Sequence, residues 1–110
     1  MVMLVSMSCA TLDFADELYF GTGKPDGTTV SQADWRQFVN EVIAPRFTGF
    51  TEMEATGQYK KTSEPSHVVV IVHGRNAEDE NKISEIITQY KQRFSQESVM
   101  RVRARVETSF

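Results

Sequence analysis

From Gly21 to Gly27 the chain reads Gly-Thr-Gly-Lys-Pro-Asp-Gly, three glycines and a lysine following a strand-like Leu18-Tyr19-Phe20. This is the residue content of a phosphate-binding loop. Such a loop needs G-x-x-x-x-G-K-[ST], with a helix starting at the lysine so that backbone N–H groups converge on the anion. Here Lys24 is followed by Pro25, which has no N–H, and helical periodicity begins only near Ser31. Pro-Asp-Gly is a turn signature instead. Proline sets φ, aspartate bonds back to the backbone and glycine takes the positive φ. The segment is expected to be a turn.

Other chemistry-bearing residues are few. His67 and His73 lie six positions apart on one strand, roughly 20 Å at ~3.3 Å per residue, whereas zinc ligands sit about 2 Å from the ion. They cannot share a metal, and no metal or cofactor is expected. No serine lies in a nucleophile-elbow pattern. Gln96, Glu97 and Ser98 read as a helix exit and strand entry, where polar side chains satisfy orphan backbone groups.

The arginines carry more information. Arg101, Arg103 and Arg105 alternate along the last strand, and two readings are open for them. They form a solvated stripe pairing across the ladder with Glu17, or they line an open sheet face with Tyr19 and His73 and accept a small anion. Arg46 and Arg93 stand near helix C-termini, where a cation is favoured by about 0.3–1 kcal/mol. Both also suit an anion or a partner's carboxylate.

Five elements beyond the first strand are expected to position these groups. That first strand spans Asp16 to Phe20. A helix follows from Ser31 to Pro45, with Ser31 and Asp34 in a capping-box pattern and Trp35, Phe38, Val39, Val42 and Ile43 on one stripe. Thr51 to Lys61 alternates as a strand, with Met53, Ala55, Gly57 and Tyr59 on one side. Thr62 to Ser66 reads as a turn. Val68 to Val72 is a continuous β-branched run, suited to a strand buried on both faces. Asn76 caps a second helix with Ile83, Ile86, Ile87, Tyr90 and Phe94 on its apolar stripe. Met100, Val102, Ala104 and Val106 alternate with the arginines in a last strand.

The order βαββαβ defines an α+β fold: a ferredoxin-like sandwich, a four-stranded antiparallel sheet with two helices on one face. Residues 1–15 are expected to be an apolar N-terminal arm or remnant of an export signal, and residues 16–110 one domain. If Val68, Val70 and Val72 face the helices, Val69 and Ile71 lie on the open face, and a second copy of the chain is the natural cover.

Composition bounds the function classes. With 110 residues, 40% hydrophobic and 25% charged, the chain is of ordinary globular type. A net charge of −3 argues against a nucleic-acid partner, which calls for a basic excess. The single cysteine, Cys9, cannot form an internal disulfide. It follows an apolar stretch ending in small residues, which reads as a shortened lipoprotein signal with lipidation at Cys9 or as a plain apolar arm. A membrane contact is expected only through such an anchor.

The motifs "ELYFG", "PDG", "VSxxxWxxFxxxVxxPRF", "GFT", "GQY" and "YKQRFSQESVMRV" together resemble an uncharacterised bacterial family catalogued as a domain of unknown function, number three-five-seven-four. The resemblance spans Glu17 to Val102 and implies a small protein, often exported or lipidated, without an activity to transfer. It places Arg46, Arg93, Gln96, Glu97 and Ser98 within its pattern. Two functions of different class follow. One is a non-enzymatic binding or interaction protein, homodimeric through the open sheet face. The other is a small ferredoxin-like enzyme, isomerase- or cyclase-like, acting on a small anion in a sheet-face cavity.

Overall fold

The computed structural model describes residues 11–110; the lipidation expected at Cys9 lies outside them. The chain runs β1 (Thr11–Gly21), α1 (Gln32–Phe38, continued by a π-helical turn at Val39–Ile43), β2 (Thr51–Tyr59), β3 (Thr62–His73), α2 (Ala77–Arg93) and β4 (Met100–Thr108). The strands form one antiparallel sheet in the order β2-β3-β1-β4. This is the ferredoxin-like α+β arrangement, with β1 and β3 central.

Local chemistry explains the helices. Ser31 Oγ accepts from the Asp34 N–H at 3.0 Å, and Asn76 Oδ1 accepts from the Asp79 N–H at 2.8 Å, so each helix begins at a side-chain cap. Glu78, Asp79 and Glu80 occupy the first turn of α2, Lys91 and Arg93 its last, each sign placed as the helix dipole favours. The first helix widens where Ala44 N–H donates to Val39 across a π turn at 2.9 Å. That turn keeps Val39, Val42 and Ile43 all buried.

The core forms where these helices meet the sheet. Leu18 and Phe20 from β1 and Val69 and Ile71 from β3 pack against Trp35, Phe38, Ile43, Ile83, Ile86 and Tyr90. Phe20 sits at the centre, its ring 5.2 Å from Trp35 and 4.7 Å from Tyr90. The Tyr90 hydroxyl donates to the Gly21 carbonyl at 2.6 Å, and burial pushes its phenol well above the ordinary value.

Register corrects three expectations. In β3 the residues facing the helices are His67, Val69, Ile71 and His73, all buried, while Val70 is half-buried and Val72 exposed on the open face. A run apolar on both sides has no periodicity from which to choose its phase. The sheet begins at Thr11, not Asp16, because Thr11 to Ala15 already pair with Ala104 to Thr108. And the β2–β3 turn is Lys60-Lys61, not Thr62 to Ser66, which belongs to β3. Pro65 is tolerated there because β1 pairs with β3 only as far as Ser66. Its missing N–H therefore faces a side without a strand.

Lys60 and Lys61 have φ of 50° and 65°. Two consecutive residues of positive φ match the twist of a tight hairpin, but lysine is poorly suited to them. The double substitution Lys60→Asn/Lys61→Gly is expected to raise unfolding free energy by about 1 kcal/mol, measured by urea denaturation followed through Trp35 fluorescence.

Candidate functional site

A concentrated set of ionisable groups in the sheet is built around Asp16, on β1 beneath α2. In register it lies opposite Ile71 of β3 and Arg103 of β4, so its carboxylate enters the helix-facing layer and is fully buried. Arg101 Nε and Nη2 donate to it at 3.1 Å each, and Arg103 Nε and Nη2 at 3.0 and 2.8 Å. His73 Nε2 stands 2.6 Å from Asp16 Oδ2, while its Nδ1 lies 2.9 Å from the Gly74 carbonyl. A carbonyl only accepts, so Nδ1 is the donor to Gly74. Glu80 of α2 accepts from both arginines, and the Arg103 guanidinium lies 4.2 Å over the Phe14 ring. Both guanidiniums are thus engaged by carboxylates.

This geometry reverses the placement expected for the arginines. Arg101 and Arg103 face the helices and pair with Asp16 and Glu80, not with Glu17, because Leu18 and Asp16 are their cross-strand partners. His73 joins them on that side. Tyr19 alone of the expected sheet-face group points the other way, where its hydroxyl donates to Glu17 Oε1 at 2.7 Å. The residues grouped for an anion cavity are divided between the two faces of the sheet.

The remaining candidates are spread out. Arg46 donates to Glu85 and, through Nη1, to the Val42 carbonyl at 2.9 Å, as its place at a helix end favours. Arg93 donates to Glu41 at 2.9 Å. Gln96 Nε2 donates to the Gly23 carbonyl at 2.7 Å, tying the helix exit to the glycine loop. Glu97 and Ser98 are exposed between α2 and β4. The glycine loop is a turn, with the Gly27 N–H donating to Lys24 and Asp26 Oδ1 accepting from the Thr28 N–H. The Gly23 N–H donates to Glu64 Oε2 at 2.7 Å.

Sequence reasoning missed Asp16, Glu80, Glu64 and the surroundings of His67. Asp16 carried a signal: an aspartate two before Leu18 on an inward-facing parity must be buried with a counter-charge. His67 stacks flat on Trp35, ring centroids 4.1 Å apart and 2° from parallel. Burial pushes its imidazole below the ordinary value, against the opposing pull of Glu54 and Glu52. Beside it, Glu52 accepts from Trp35 Nε1 and both Arg36 amines. Those hydrogen bonds, Arg36's first, hold its carboxyl below the usual range.

An α+β sheet with one helix-covered face and one open face is the class defined by these observations. The chain belongs to the family described as Protein of unknown function (DUF3574), whose model matches residues 15–110. It is similar in fold to a phage SAM lyase, solved in complex with S-methyl-5'-thioadenosine, at 18% identity and a TM-score of 0.57 over 89% of this chain and 90% of that one. The same phage enzyme in its apo state gives 18% identity and a TM-score of 0.58 over 90% of each chain. Among curated proteins, none matches. At this identity the likeness is one of fold.

Two outcomes follow from the geometry. Asp16→Ala leaves two arginines facing an empty buried position and is expected to cost about 3–5 kcal/mol in urea unfolding. His67 has a folded value below its unfolded one, so the unfolded chain binds the extra proton first. Stability is expected to fall as pH drops through about 6.5 towards the lower folded value and to level off beneath it. His67→Gln flattens that part of the profile, read from urea midpoints across the pH range.

Proposed function

We propose that the protein is a non-enzymatic binding or interaction module that assembles as a homodimer through its open sheet face. The observation that carries this reading is an inversion in the edge strands. On β2, Glu52 and Glu54 stand on the helix side while Met53 faces out. On β4, Arg101 and Arg103 lie under the helices while Met100 and Val102 face out. An ordinary half-exposed strand does the opposite.

Together with Val70 and Val72, these residues make the open face apolar. Met53 is 48% exposed, Met100 58% and Val102 44%. Glu17 is the charged residue at its centre, and Tyr19 already donates to it. Strands ~4.8 Å apart that pair over eight or nine positions outline a projected face of about 550 Å². The pleat and side chains raise its accessible area towards the about 800 Å² per partner of a standard interface. A second copy offers the same apolar surface, as a two-fold interface requires.

The enzymatic alternative, action on a small anion in a sheet-face cavity, has less support. Its arginines are neutralised by Asp16 and Glu80, and His73 lies on the far side from Tyr19. Likeness to a SAM lyase fold supplies no residue for that role.

Sedimentation equilibrium of the full chain is expected to give a dimer at micromolar concentration. Val102→Glu or Met53→Glu places an unpaired charge twice in the two-fold interface. Either is expected to weaken the dimer at least about a hundredfold, or ~2.7 kcal/mol, with the circular dichroism of the monomer unchanged. A wild-type chain that stays monomeric under these conditions overturns the reading.

A further inference from the structure

On the helix side, away from the open face, a cleft of about 560 Å³ lies between the start of α1 and the β2–β3 hairpin. His67 forms part of its wall. The residue is only 7% exposed, yet its ring has no hydrogen-bond partner among the described residues. No side-chain nitrogen or oxygen among them is both sealed from solvent and unpartnered, so the ring nitrogens open to the cleft. The indole of Trp35 covers one face of the imidazole and fixes its plane.

Directly opposite in register is Glu54. Cross-strand partners on one face have Cβ atoms about 5 Å apart. Gln32 Nε2 donates to Glu54 Oε1 at 2.9 Å, which steadies the carboxylate and leaves Oε2 available. Glu52 is already occupied by Arg36 and Trp35. The hydroxyls of Thr29 and Ser31 also line the cleft, and no lysine or arginine does. The wall therefore offers acceptors and no cation.

We propose that this cleft binds a late first-row divalent metal ion, with His67 and Glu54 as its protein ligands. Imidazole with carboxylate suits zinc, copper and nickel rather than calcium or magnesium, which prefer oxygen alone. Among the described residues no group of three metal-binding side chains occurs. The site is thus a two-ligand one, and water fills the other positions. The site does not depend on dimer formation.

The chain is suited to a direct test because it holds two histidines and one tryptophan. The single thiol is first removed by Cys9→Ser, so that it cannot compete. Paramagnetic Ni²⁺ is then titrated while the imidazole resonances are followed by NMR. His67 signals are expected to broaden at sub-stoichiometric metal and saturably, ahead of those of His73, with parallel quenching of Trp35 fluorescence. His67→Gln is expected to weaken the quenching at least about tenfold, no less than the loss of an outer partner at a metal site. Glu54→Gln, on the exposed strand β2, should weaken it several-fold without unfolding the chain. Equal broadening of both histidines, or a Glu54→Gln variant that binds like the parent, overturns the proposal. So does a parent protein that shows no saturable change. A dimer without nickel binding sinks this site alone, and nickel binding to a monomer sinks the assembly alone.

Discussion

The structure turns on a carboxylate that has no water. Asp16 is placed by β-strand parity between Leu18 and Phe14, on the side where the core must be. A buried carboxylate without partners is prohibitive, and the cure recruits much of the domain. His73 comes from β3, Arg101 and Arg103 from β4, and Glu80 from α2 balances the arginines. Replacing such a group by a well-packed apolar set is often neutral in stability. What the charges add is position. Three strands and a helix are located at one point by directional bonds, where apolar packing alone tolerates slippage.

The same constraint shapes the opposite face. Once Arg101 and Arg103 are turned towards Asp16, alternation forces Met100 and Val102 outward. Glu52, drawn under α1 by Arg36 and Trp35, sends Met53 outward on the other edge. The apolar open face is thus the geometric complement of a polar layer beneath the helices. The two edge strands carry charge inside and methyl groups outside, and only the central strands follow the usual rule, Leu18, Phe20, Val69 and Ile71 pointing to the core.

This inversion explains what could be read from the sequence. Element order, both helix caps and the ferredoxin-like class were legible, since Ser31, Asn76, Pro45 and the stripe from Trp35 to Ile43 are local signals. The phase of Val68 to Val72 was not, because β-branched residues on both faces leave no pattern to break the tie. Nor was the face of the arginines, because the rule that charges point to solvent fails where a buried aspartate waits for them. The first residues of β1 read as an arm because Thr11 to Ala15 acquire strand character only through pairing with β4. At Lys60-Lys61 the hairpin lacks the glycine or asparagine that marks such turns.

The glycine loop has a further consequence. A Cβ placed on Gly21 would stand 2.8 Å from Glu64 Oε1, and one on Gly23 would stand 2.7 Å from Oε2. The bare backbone there makes room for a carboxylate carried by the neighbouring hairpin, and the Gly23 amide holds it. The turn's Gly23 amide is thus occupied from within the chain. A tethered group competes at an effective concentration of about millimolar or more. An outside carboxylate would have to displace that tethered one from the Gly23 amide.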